Sequence, residues 1–242
     1  MTQFQPELKM AKRLLCQCGP RCTKPPIKGT AFCKNHSRCT RKSPMSGYEP
    51  KYDPDFFNKL GAVDLRESHN CYAYAVGHVN MSAKKDTPFI QPGYAAGYPF
   101  FGNKQTTPNL PEHTCADIVS RLKGDMPSIV GPVGFADKCP PKTSKIALVV
   151  DPSADYHYYR QDSNGWWSHK PGGTSVTNLD AVGAKIWDPS LASRIYDNKT
   201  NPLKYTSMCG FFCTPRDRVP RVKGGRKTLR RRKMTRRKTL KK

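Results

Sequence analysis

The sequence has few acidic residues, no long apolar run and no hydrophobic stretch at its start, and each absence excludes something. Asp and Glu number 18 against 42 Lys and Arg in 242 residues, a formal charge of +24. The imbalance is local. Residues 216–242 carry 15 basic residues and one acid, Asp217, and residues 1–43 carry ten and only Glu7. Residues 44–215 are nearly neutral, with 17 basic and 16 acidic side chains. This excludes a uniformly basic, histone-like chain and describes a neutral body with two basic ends. The longest aliphatic run, Ile146–Val150, has the length of a buried strand and falls far below the roughly 18–20 residues of a membrane span. The first residues lack the apolar segment of a secretory signal. A reducing cytosol or nucleus is therefore the expected compartment. The ten cysteines are expected there as metal ligands, core residues or a nucleophile rather than as a disulfide framework.

Four regions follow from composition: a basic Cys/His module at 1–43, a linker with a short helix at 44–64, an α+β domain at 65–215, and a basic low-complexity tail at 216–242. The central body is long enough to bury one core. Asp53-Pro54 opens a short helix and Gly61 is placed to end it. Asn70 caps a second helix running from Cys71 through Ala75, and Thr114-Cys115-Ala116-Asp117 reads as the capping box of a third, stopped by Gly124. Residues 86–111 read as loop. Strand signals then dominate: Lys145–Val150, Asp155–Gln161, Trp166–His169 and Gly210–Cys213, with Asp188-Pro189-Ser190 starting another short helix. The fold class expected is α+β, helices first and a mostly antiparallel sheet after them.

Six metal-capable side chains crowd the start: Cys16, Cys18, Cys22, Cys33, His36 and Cys39. Zinc takes about four soft ligands in a tetrahedron, and closely spaced pairs supply them with little chain ordering. Cys33 and His36 form one such pair and Cys18 with Cys22 the other, with Cys16 or Cys39 as alternatives. A structural zinc ion is the expected cofactor. The pattern resembles small modules ending in Cys-x-x-His found in proteins of large DNA viruses.

Cys71 is the candidate nucleophile, because the first turn of a capped helix offers free N–H groups that favour a thiolate. His157 and His169 lie on successive predicted strands. A two- or four-residue loop between these strands would put the histidines on opposite faces of the ribbon, whereas a three-residue loop, Ser163-Asn164-Gly165, with Gly165 at positive φ, puts both on one face and Tyr159 opposite His169. The order of Cys on a helix, His on a strand and a polar residue on the next strand resembles the papain-like superfamily, closest to the NlpC-type cell-wall peptidases and amidases. That resemblance implies Cys71 as nucleophile, His157 as base and His169 as orienting group, with Asp180 or Asn178 as substitutes in the third role, acting on a peptide or amide. Segments 70–75 and 155–172 also look like stretches of proteins from large DNA viruses and some bacteria. A buried core cysteine is the competing reading of Cys71. Cys115, Cys139, Cys209 and Cys213 have no metal spacing, and the last two read as core.

The tail repeats Arg-Lys-Thr-Leu at 226–229 and 237–240. Arg226, Lys227, Arg230, Arg231, Arg232, Lys233, Arg236, Arg237 and Lys238 are the candidate nucleic-acid contacts, binding DNA or RNA through phosphate neutralisation without reading sequence; a nuclear import signal and adhesion to an acidic protein surface are the competing readings of the tail. Such tails resemble the C-termini of giant-virus virion proteins. The function expected is thus a virion-associated cysteine hydrolase anchored to nucleic acid, partnered by other virion or capsid proteins and present in host cytoplasm or nucleus during infection. The alternative is a non-enzymatic minor capsid or internal virion protein whose body is an interaction module.

Overall fold

A nine-residue strand buried along its whole length, Thr143–Asp151 (β2), is the axis of the structure. This computed structural model describes residues 15–19, 21–28, 30–99, 113–196 and 202–217. The strand sits in the middle of a five-stranded antiparallel sheet. Its neighbours are Ser207–Pro215 (β7) on one side, carrying Val130–Val133 (β1) at the edge, and Asp155–Gln161 (β3) on the other, carrying Trp167–His169 (β4). A second, two-stranded sheet pairs Ile195–Tyr196 (β5) with Leu203–Lys204 (β6). Period-two alternation divides the main sheet into two buried faces. Ile146, Leu148, Val150, Tyr156, Tyr158 and Phe212 face a helical layer, while Ala147, Val149, Tyr159, Trp167 and Phe211 face the segment that contains Ile186, Ala192 and Tyr205.

The helices are few and short: Pro54–Phe57 (α1), Leu65–Ser68 (α2), Cys71–Val76 (α3) and Cys115–Asp125 (α4). The architecture is mixed α and β with an antiparallel sheet, as the residue patterns required. Side-chain caps start each helix: Asp53, Asp64, Asn70 and Thr114 accept the third backbone N–H beyond themselves. Gly77, at φ 78°, ends α3 in the left-handed region. Three expected details differ. Asn58 and not Gly61 closes α1, its amide donating to the Pro54 carbonyl, so the helix stops at Phe57. Gly124 lies inside α4, which runs to Asp125. Asp188 starts no helix; its carboxylate accepts the Ser190 amide and hydroxyl, closing a turn in place of a first helical turn.

The cysteines differ most from expectation. Cys18–Cys39, Cys115–Cys209 and Cys139–Cys213 are disulfides. The first removes Cys18 and Cys39 from the expected metal set. The other two tie the start of α4 and the segment before β2 to β7. Spanning 94 and 74 residues, each restricts the unfolded chain by about 4–5 kcal/mol in the loop-entropy account. Among the described residues no helix is long and apolar enough to cross a membrane. The candidate nucleic-acid contacts Arg226 to Lys238 lie outside the described residues.

Candidate active site and metal cluster

The β3–β4 hairpin closes through Ser163-Asn164-Gly165. The Asp162 amide donates to the Trp166 carbonyl at 2.8 Å and Gly165 takes φ 83°. Tyr159 consequently pairs with His169, and the two histidines share a face. His157 Nε2 lies 2.8 Å from His169 Nδ1, and His169 Nε2 lies 2.9 Å from the Leu179 carbonyl oxygen. A carbonyl can only accept, so His169 carries its proton on Nε2 and presents an unprotonated Nδ1. His157 must then donate from Nε2, which leaves its Nδ1 lone pair as the basic atom of the relay. The tautomers of both rings are thus set by one backbone oxygen.

Cys71 opens α3. Asn70 Oδ1 accepts the Ala73 amide at 3.0 Å, and Asn70 Nδ2 donates to the Ile90 carbonyl at 2.8 Å. The cap therefore also fixes the segment that carries Gln91. Cys71 and His157 line one cavity of about 680 Å³, together with Phe89, Gln91, Asp155, Tyr196, Tyr205 and the 171–174 loop. No hydrogen bond joins them. The thiol packs on the helical face, 4.0 Å from the Tyr156 carbonyl oxygen, whereas His157 belongs to the opposite row of β3, against Tyr159 and Tyr205. The structure therefore brings the two histidines into direct contact and gives the thiol only a shared cavity.

Desolvation governs the electrostatics. Burial, with the Asp155 carboxyl adding to it, pushes the Cys71 thiol up to about 12. Burial and the neighbouring His169 hold His157 well below the ordinary imidazole range, and burial brings His169 down to about 4 against the pull of the Leu179 carbonyl. The resting site is a neutral thiol beside neutral imidazoles, and not an ion pair. Asp155 is raised to about 6 by burial, although Tyr205 and its own neighbour's amide donate to it, each at 2.8 Å. Asp155, Gln91 and Tyr205 were not singled out from the sequence; only the fold brings these three to the cavity. Asp180, a substitute for the third role, instead accepts the amides of Val182, Ala184 and Ser193. The Asn178 carbonyl accepts the Ile186 amide. Lys170 pins the 171–174 wall by donating to the Arg66, Gly172 and Thr174 carbonyls.

A second cluster gathers Cys16, Cys22, Cys33 and His36, whose ligand atoms all lie within 4.8 Å of one another and could hold a metal ion. Cys16 thus stands where Cys18 was expected, because Cys18 is bound to Cys39. The fold of the module explains the choice. Cys16 and Gln17 pair with the Lys24 and Ala31 carbonyls, at 3.1 and 2.7 Å. A single 3₁₀ turn, Lys34–His36, brings His36 back over Cys33.

No family model matches the chain, and no solved structure matches it. A similar protein is insoluble matrix shell protein 1 of Ruditapes philippinarum, 34% identical over 145 residues, which are 60% of this chain and 81% of that protein.

Proposed function

The chain belongs to the same family as insoluble matrix shell protein 1, and from the geometry of its site we propose that its α+β body is a papain-like thiol hydrolase of the peptidase or amidase type. The supporting observation is the relay from the Leu179 carbonyl through His169 to His157, ending in an unprotonated Nδ1 on a residue that shares its cavity with Cys71. In this reading Nδ1 takes the Cys71 proton as sulfur attacks the substrate carbonyl. The same proton then passes to the departing amine, and water releases the acyl group from sulfur. The raised thiol makes that proton transfer part of the attack rather than a prior step. A thiol-directed activity probe should label Cys71 and lose about 10²–10⁴-fold in rate on His157→Ala. Undiminished labelling of that variant sinks the triad.

Two observations favour a second reading, a non-enzymatic interaction module. A thiol at about 12 is poorly activated, and the relative's name is that of a shell matrix protein. Absence of His157-dependent labelling together with a folded protein selects it.

The metal is proposed to be zinc. With Zn–S about 2.3 Å and Zn–N about 2.0 Å, a tetrahedron has S···S edges of about 3.8 Å and S···N edges of about 3.5 Å. Here Cys22 and Cys33 sulfurs are 3.7 Å apart, and His36 Nδ1 is 3.3 Å from Cys16 and 3.5 Å from Cys33. One equivalent of zinc in the purified chain, lost on His36→Ala, is the expected result.

Three disulfides fit an oxidising setting such as an extracellular matrix or a virion surface. The virion setting, with capsid proteins and DNA or RNA as partners, rests on the tail. Unchanged DNA affinity after removal of residues 216–242 refutes that part.

A further inference from the structure

Gln17 lies between a metal-cluster cysteine and a disulfide cysteine, yet its side chain does nothing for either. It is 1% exposed, and its carboxamide reaches across to the backbone of 185–188. Nε2 donates to the Lys185 carbonyl at 3.1 Å, and Oε1 accepts the Trp187 and Asp188 amides at 2.6 and 3.1 Å. Arg41 reinforces the contact by pairing with Asp188 and by accepting the Trp187 indole N–H on its carbonyl at 2.7 Å. Phe32 packs edge-on to Trp187, with ring centroids 5.3 Å apart.

The segment held in this way leads back to the candidate triad. Leu179 and Lys185 form an antiparallel bridge, and the Ile186 amide donates to the Asn178 carbonyl at 3.0 Å. Residues 177–186 are thus a small hairpin laid along β4: Trp167 donates to Ile186 at 3.0 Å, and His169 and Thr177 exchange both backbone bonds at 2.8 and 2.9 Å. The Leu179 carbonyl that sets the tautomer of His169 sits on its inner arm, opposite Lys185, which Gln17 grips. Three noncovalent steps therefore join the module beside the metal cluster to His169: Gln17 to Lys185, Lys185 to Leu179, and Leu179 to His169.

We infer that metal binding at Cys16, Cys22, Cys33 and His36 positions His169, with Gln17 as the positioning residue and the 177–186 hairpin as the lever. For its catalytic consequence this rests on the thiol-hydrolase reading; the coupling itself does not. The two-state element is the module. Among the described residues between 15 and 43 the buried hydrophobic ones are Cys16, Ala31 and Cys33, too little apolar surface to hold a fold by burial, so ligand–metal bonds supply the order. The Cys18–Cys39 disulfide keeps the module's own loop closed in either state, and the Arg41 contacts with Asp188 and Trp187 hold it on the segment. Metal loss therefore loosens the grip of Gln17 rather than releasing the segment, and the effect passes through a defined contact chain.

The test uses the full chain in four forms: zinc-loaded, chelator-stripped, Cys22→Ser and Gln17→Ala. Amide hydrogen exchange and ¹⁵N imidazole shifts are the readouts, neither of which needs activity. Relative to the loaded protein, the other three should show exchange at His169 and Thr177 at least about tenfold faster, the scale of one lost buried hydrogen bond. The His169 shifts should move from a single Nε2–H tautomer toward a mixture, while Gln17→Ala retains one equivalent of zinc. Unchanged His169 shifts and exchange in the stripped protein, with the module's own amides exposed, would falsify the coupling. Failure of Cys71 to take the activity probe, with the NMR changes present, overturns the hydrolase reading and leaves the coupling standing. The stripped wild type keeps the test decisive if a variant does not fold.

Discussion

The N-terminal module and the sheet domain are built from the same reactive residues, cysteine and histidine, and use them in opposite ways. In the module, three thiols and an imidazole converge within 4.8 Å of one another, two of them buried and two partly exposed, an arrangement that could hold a cation. In the domain, a lone thiol and two imidazoles are packed among Tyr156, Tyr158, Tyr159 and Tyr205, and burial drives all three toward their neutral forms. Residue type therefore does not decide the chemistry; the number of like donors and the surrounding dielectric do. The regions are also held together differently. A 21-residue disulfide loop closes the module, whereas 94- and 74-residue loops cross-link the domain.

The contrast can be tested from its largest expected effect downward. Replacing the Cys115–Cys209 pair by serines should lower stability by about 4–5 kcal/mol, against about 3 kcal/mol for the shorter Cys18–Cys39 pair. Denaturant titration measures both, and equal losses would break the distinction. Next is pH. His169 has a folded-state value of about 4 against about 6.5 when unfolded. Its depressed value means that the unfolded chain binds the extra proton first on acidification. The stabilising contribution of the neutral ring is full above about pH 6.5 and is lost as pH falls to about 4. The stability difference between wild type and His169→Gln should shrink by about 3 kcal/mol over that window. A flat difference would show a ring that solvent reaches. Thiol reactivity sharpens the contrast on a smaller scale. In metal-stripped protein at neutral pH, iodoacetamide should modify Cys22 about a hundredfold faster than Cys71, because a thiol at about 12 has so little thiolate. The mildest change is Asn70→Ala, which removes the α3 cap and the Ile90 contact and should cost about 1 kcal/mol, read from the melting temperature.

Local chemistry was legible before the fold. The caps at Asp53, Asn70 and Thr114 follow from side chains reaching amides three residues on, and the hairpin register follows from Gly165 at positive φ. Those interactions span a few residues and carry their own geometry. The disulfides were not legible, because Cys115 and Cys209 meet only when α4 packs on β7. The choice of Cys16 over Cys18 was equally hidden, since both have workable spacing and only the path of the chain past Lys24 and Ala31 separates them. Gln17 carried no signal at all. Its role is a set of backbone contacts about 170 residues away.

The sequence by itself determined the neutral body with basic ends, the helix starts at Asp53, Asn70 and Thr114, and the central strand, because each depends on composition or on neighbours a few residues apart. Tertiary structure alone decided which cysteines bond, which could bind a metal and how acidic each group is. It also set how the module touches the hairpin behind the histidines. Those outcomes depend on desolvation and on distances between segments far apart in the chain, which exist only once the sheet has closed.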